Sequence, residues 1–275
     1  MVFFIHYNRC CLRYECLDNY SFKLKKVQSV LMKPEVSGLY WSLRMKFKIG
    51  LISAAILLSG CATQKMAFPT QNQLTITGNT LVYDGMITGD AVLEAIRMVN
   101  DSDQKVTTLR ITSSGGDIGV GIEFGHFIKN NDMDVIVSQL CFSACANYIL
   151  PAAKSVVIGK DALIGWHGGA NQSDEMWDQS VPSQYEKQFY RYLTRLRIKE
   201  AEFYNKVGVD PNITVYGHTR TNTCQRSTLA NGWYYTESDM RHMGIKNLTV
   251  QGELLNTLNY NNSEINSCLM PQIFN

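Results

Sequence analysis

A chain of 275 residues, 45% hydrophobic, 11% aromatic and 18% charged, has the composition of a globular protein able to bury a sizeable core. Of its 26 Lys/Arg and 24 Asp/Glu, nine and three fall in residues 1–60, so the remainder holds 17 basic and 21 acidic residues, a net −4. That balance removes the electrostatic support that nucleic-acid binding needs.

Met45 to Cys61 reads MKFKIGLISAAILLSGC. Lys46 and Lys48 form a positive n-region, Gly50 to Leu58 an apolar h-region, and Leu58-Ser59-Gly60-Cys61 a small-residue cleavage site. The apolar run is about half of the ~20 residues a membrane-spanning helix requires. The LSGC ending resembles the bacterial lipoprotein lipobox, which implies cleavage before Cys61 and lipid on that cysteine. Residues 1–44 are then expected to be an N-terminal extension ahead of a start at Met45, 45–60 a signal peptide, 61–73 a polar tether, 74–250 the folded domain and 251–275 a weakly patterned tail. Ala62 after Cys61, by the same resemblance, implies sorting to the outer membrane, facing the periplasm.

Leu74 to Ile87 predicts two short strands. Thr88-Gly89-Asp90 opens a helix with apolar residues at helical spacing. Val106 to Thr112 reads as a strand, Ser113-Ser114-Gly115-Gly116-Asp117 as a turn, and Ile118 to Lys129 as a glycine-rich helix implying close packing. Asp134 to Ser138 is a short buried strand, Ser143 to Ala152 a helix of small residues, and 155–158 and 162–166 are strands. The spacing predicts an α/β fold with a mostly parallel sheet. Residues 171–182 look like a loop. Ser183 to Val207 reads as a long amphipathic helix with Tyr185, Phe189, Tyr192, Leu193, Leu196, Ile198 and Phe203 near one stripe, stopped by Gly208. Residues 213–232 look irregular, and Thr236 caps a short helix to Met243.

Three features of this order carry chemistry. Ser143 opens an apolar helix, where it is either an N-cap or a nucleophile. The N–H groups of Ser143 and Ala144 at the helix start, and of Gly115 and Gly116 in the turn, are candidate donors to an oxyanion. His167 follows a strand and precedes Gly168-Gly169, as either a core histidine or a base. No metal-ligand pattern or cofactor motif stands out. Beyond Cys61 the chain has Cys141, Cys145, Cys224 and Cys268. In an oxidising compartment they are candidate disulfide partners: Cys141 with Cys145, or Cys145 with Cys224.

The order ITSSGGD, CFSACANYIL and ALIGWHGG, with 24 residues between Ser143 and His167, resembles the ClpP/crotonase superfamily, and its CxSAC form a periplasmic ClpP-like serine hydrolase branch. Residues 183–208 resemble that family's handle helix, and WYYTESDMRHMGI its terminal segment, so the likeness covers roughly residues 80–247. It implies repeated β-β-α units, Ser143 as nucleophile, His167 as base, and Gly116 and Ala144 as oxyanion donors. It also implies no cofactor, a peptide or unfolded-protein substrate, and self-association through the handle. The position where the family carries its triad acid offers Leu229-Ala230-Asn231-Gly232, so Asn231 is the candidate to orient His167, with Asp210 a distant second. The missing carboxylate motivates an alternative: an inactive envelope lipoprotein that keeps the fold for binding or assembly. An acyl-CoA enzyme is a third option, which export from the cytoplasm disfavours.

Overall fold

The computed structural model describes residues 72–179, 181–219 and 230–274. The expected extension, signal peptide, lipidated Cys61 and Cys224 lie outside them. No helix among the described residues is long and apolar enough to cross a membrane.

β1 (Gln73–Thr77) and β2 (Thr80–Asp84) form an antiparallel hairpin. From β2 onward the main sheet is parallel, in the order β2, β3 (Thr108–Ser113), β4 (Asp134–Phe142), β5 (Val156–Ile158) and β8 (Leu248–Val250). Inward positions alternate: Leu81 and Tyr83, Leu109 and Ile111, Val135 and Val137, Val156 and Ile158 are fully buried. Helices α1 (Gly89–Asn100) and α2 (Ile118–Asn130) are the crossovers between β2, β3 and β4. The class is therefore α/β with a mostly parallel sheet, as the pattern implied.

β4 is longer than its first five residues suggest. Its first half pairs with β5 through Val135–Val137, and its second half with β6 (Leu163–Gly165) through Leu140–Phe142. Between these two partners the alternation breaks at Ser138 and Gln139, and the register with β3 slips between Ile111 and Ser113. Such irregularities re-aim the strand end, and this one delivers the chain to Ser143.

Other expectations are corrected. Residues 143–152 are not one regular helix: Cys145–Ile149 is a π-helical turn, continued by α3 (Leu150–Ala152). The expected loop at 171–182 contains α4 (Asp174–Asp178), with Trp177 buried against Phe189. The long helix begins with a 3-10 turn and becomes α5 (Glu186–Val207), ending at Gly208 with φ 72°. Its stripe is shifted from the one read in sequence. Leu193, Leu196, Glu200, Phe203, Tyr204 and Val207 face inward, whereas Tyr192 and Ile198 are 41% and 55% exposed. Part of the irregular 213–232 stretch is ordered as a 3-10 turn (Pro211–Thr214) and α6 (Tyr216–Thr219). Thr236 caps α7 (Glu237–His242) by accepting from Asp239 N at 3.0 Å.

Residues 251–275 are more than a tail. β9 (Thr257–Tyr260) and β10 (Ser263–Leu269) form a hairpin turned by Asn261 and Asn262, both at positive φ, as a tight hairpin turn needs. β10 runs parallel to β7 (Gly232–Tyr234), completing a second, three-stranded sheet. Trp166 and Trp233 exchange two 2.8 Å backbone hydrogen bonds, joining this sheet to the end of β6.

Candidate active site

β4 ends at Phe142, and the next residue turns the chain sharply. Ser143 has φ 57°, the left-handed region that non-glycine residues seldom occupy. It is not a capping serine in extended backbone. Strain of this kind persists only where the surroundings over-determine it, and here they do. Ser143 N donates to Gly165 O at 2.9 Å, Ser143 O accepts from Asn147 N at 2.8 Å, and a disulfide joins Cys141 to Cys145 across the turn. Cys145 is therefore not the partner of Cys224. Cys268 is also disulfide-bonded.

His167 lies one residue beyond the Trp166–Trp233 bridge. Its Nε2 is 2.6 Å from Ser143 Oγ, and its ring stacks on Phe142 with centroids 5.4 Å apart. Burial, followed by the neighbouring His218, pulls the imidazole down to about 4. The ring is thus neutral at neutral pH, and in the tautomer with Nε2 unprotonated it accepts a hydrogen bond from the Ser143 hydroxyl. The two residues singled out in sequence are brought together within hydrogen-bond distance, the geometry that a nucleophile–base pair requires.

The Gly-Gly turn packs directly against that serine. Ser113 Oγ accepts from Gly115 N at 3.1 Å, shaping the turn from inside. A Cβ on Gly115 would lie 2.5 Å from Ser143 Cβ and 2.8 Å from Ala144 N, and Gly115 itself sits at φ 91°. Only glycine allows this approach. Gly116 is pinned to Ile87: Ile87 N donates to Gly115 O at 2.8 Å, and Asp117 N donates to Ile87 O at 3.0 Å. The Gly116 and Ala144 N–H groups make no hydrogen bond among the described residues and stay available to an incoming oxygen.

Asn231 does not come to His167. It is exposed and pairs with Asn266: its N–H donates to Asn266 Oδ1 at 2.6 Å, and its Oδ1 accepts from Asn266 N at 2.9 Å. This exchange with β10 engages the amide oxygen that the histidine would need. Asp210 is likewise engaged elsewhere, with Tyr216 Oη at 2.7 Å and Asn212 N at 2.9 Å.

Residues that sequence did not flag hold the backbone of His167 and the loop that follows it. His218 Nε2 donates to His167 O at 3.0 Å, its ring set edge-on to Trp233. Asn147 Nδ2 donates to Gly168 O at 2.8 Å, tying the turn after the nucleophile to the loop after the base. Glu200, fully buried on α5, accepts from Ala170 N and Asn171 N. A polar residue in the buried stripe of an amphipathic helix is the signal that would have found it. No cluster of three or more His, Cys, Asp or Glu side chains among the described residues is arranged to hold a metal ion.

No protein-family model matches the chain, and no curated protein matches it. Among solved structures, an enoyl-CoA hydratase from Polaromonas sp. JS666 is similar at 17% identity and a TM-score of 0.27. The match covers 34% of this chain and about half of the hydratase chain, 50%.

Proposed function

We propose that the chain is a lipid-anchored serine hydrolase of the ClpP/crotonase type, a peptidase that cleaves peptides or unfolded segments without ATP. The observation that carries this is the 2.6 Å contact between His167 Nε2 and Ser143 Oγ, made by a serine held at positive φ. His167 takes the Oγ proton as Oγ attacks the scissile carbonyl carbon. The carbonyl oxygen becomes an oxyanion facing the Gly116 and Ala144 N–H groups. His167 then returns the proton to the leaving amine as the C–N bond breaks. Water, deprotonated by the same imidazole, attacks the acyl carbon, and the imidazole gives that proton to Ser143 Oγ as the acyl–oxygen bond breaks. Removal of a single oxyanion donor in such sites costs about 10²–10³ in rate, so both N–H groups matter.

The proposed address is the periplasmic face of the outer membrane, through lipid on Cys61. The paired Cys141 and Cys145 are consistent with an oxidising compartment. Tyr192 and Ile198, exposed on α5, support self-association through that helix. The test is digestion of a fluorescently labelled unfolded polypeptide in the absence of ATP. Cleavage by the wild type and its loss in Ser143→Ala are expected; equal cleavage by both proteins overturns the assignment. Mass analysis of the mature amino terminus tests the anchor, which requires a lipidated Cys61.

A further inference from the structure

The base sits beyond the end of its strand, so its position depends on what holds residues 168–172. Two of those bonds end on one carboxylate of α5, which also reaches the nucleophile's segment. Glu200 Oε1 accepts from Ala170 N at 3.1 Å and from Tyr148 Oη at 2.6 Å, while Oε2 accepts from Asn171 N at 3.0 Å. Tyr148 belongs to the turn that follows Ser143, so one carboxylate ties the nucleophile's segment to the base's loop. A Cβ on Gly169 would stand 2.6 Å from Glu200 Oε1, which measures how closely the loop is drawn onto α5. One turn earlier, Arg197 Nε donates to Ala170 O at 2.9 Å and Nη2 to Gln172 O at 2.8 Å. One turn later, Tyr204 Oη donates to Asn147 O at 2.6 Å.

We infer that Glu200 is a positioning residue, which from α5 sets the distance between Ser143 and His167 by clamping the loop after the base to the turn after the nucleophile. All three of its partners donate, so they need the acceptor that a carboxylate supplies and an apolar residue at this stripe position cannot. Burial pushes its carboxyl up, and the three donors and Arg197 oppose that shift. A buried charge is a poor source of stability compared with a packed apolar side chain. Its presence here is accounted for by the backbone it holds. The inference rests on the hydrolase assignment above for its kinetic consequence.

The experiment measures inactivation by a fluorophosphonate, resolved into kinact and KI, for the wild type, Glu200→Gln and Tyr148→Phe, with folding checked by near-ultraviolet circular dichroism. Glu200→Gln replaces one acceptor by an NH2 group that faces a backbone N–H. It is expected to lower kinact about tenfold or more with KI within about twofold, because small displacements of reacting groups are costly. Tyr148→Phe is expected to lower kinact several-fold, about 3–10 times, losing one of three bonds. A merely structural role lowers the urea midpoint and leaves kinact of the folded protein unchanged, and that result overturns the inference. If Glu200→Gln does not fold, wild-type kinact in Tyr148→Phe overturns it equally. If the wild type itself is not labelled, the hydrolase assignment fails separately. The His167 ring 15N resonances then decide: Glu200→Gln shifts them if the clamp sets the pair and leaves them in place if it does not.

Discussion

The state of His167 makes a quantitative claim about pH. An ordinary histidine titrates near 6.5, and burial beside His218 brings this one to about 4. The base works only when neutral. At pH 5 a group with a pKa of about 4 is roughly ten parts neutral to one charged, whereas one near 6.5 is roughly one part in thirty neutral. The second-order rate of fluorophosphonate labelling is therefore expected to hold about 90% of its pH 7.5 value at pH 5, with its acid midpoint near 4. Stability must be followed in parallel. The unfolded chain binds this proton near pH 6.5 and the folded chain only near 4. Stability from His167 is thus complete above about 6.5 and declines as pH falls through the window between the two values. Rates are read only where circular dichroism shows the native fold. An acid midpoint near 6.5 in fully folded protein refutes the claim that the half-buried pair, as built, supplies the base.

Three further outcomes follow from the same contacts. Gly115→Ala forces a Cβ onto Ser143 and Ala144 N from a left-handed residue; it is expected to cost about 1–3 kcal/mol of stability by urea unfolding and to reduce labelling at least about a hundredfold. Asn231→Ala removes an exposed partner of Asn266 and is expected to leave labelling within about twofold of wild type, against a large loss if Asn231 oriented the base. Cys145→Ala opens the bridge across the nucleophile turn; labelling is expected to fall several-fold, about 3–10 times, in intact folded protein, and an unchanged rate shows that the turn is held without it.

Sequence disclosed the chemistry better than its support. Ser143, His167 and the Gly115-Gly116 turn were legible because they are residue types that acyl transfer uses, set in an order and spacing that resemble a known superfamily. The backbone at Ser143 was not, since a serine before an apolar run has the same pattern whether it caps a helix or stands in a left-handed turn. β4 looked short because Ser138 and Gln139 interrupt its alternation. The interruption marks a change of partner from β5 to β6 rather than a strand end. Asn231 was misplaced because its partner, Asn266, is 35 residues away, in a strand that the Asn-rich ending concealed. Glu200 escaped notice among the charges of α5. It falls at helical spacing between Leu196 and Phe203, and the rotation of the helix puts it in the buried stripe, from which Ile198 is excluded.

The central claim is that Ser143 is a nucleophile activated by His167. Its most direct test is to label purified wild-type protein with a fluorophosphonate and locate the adduct by peptide mass spectrometry. One adduct is expected, on Ser143 in the Gln139–Tyr148 segment, absent in Ser143→Ala and strongly slowed in His167→Ala. No adduct on folded wild type, or an adduct that persists undiminished in Ser143→Ala, contradicts it.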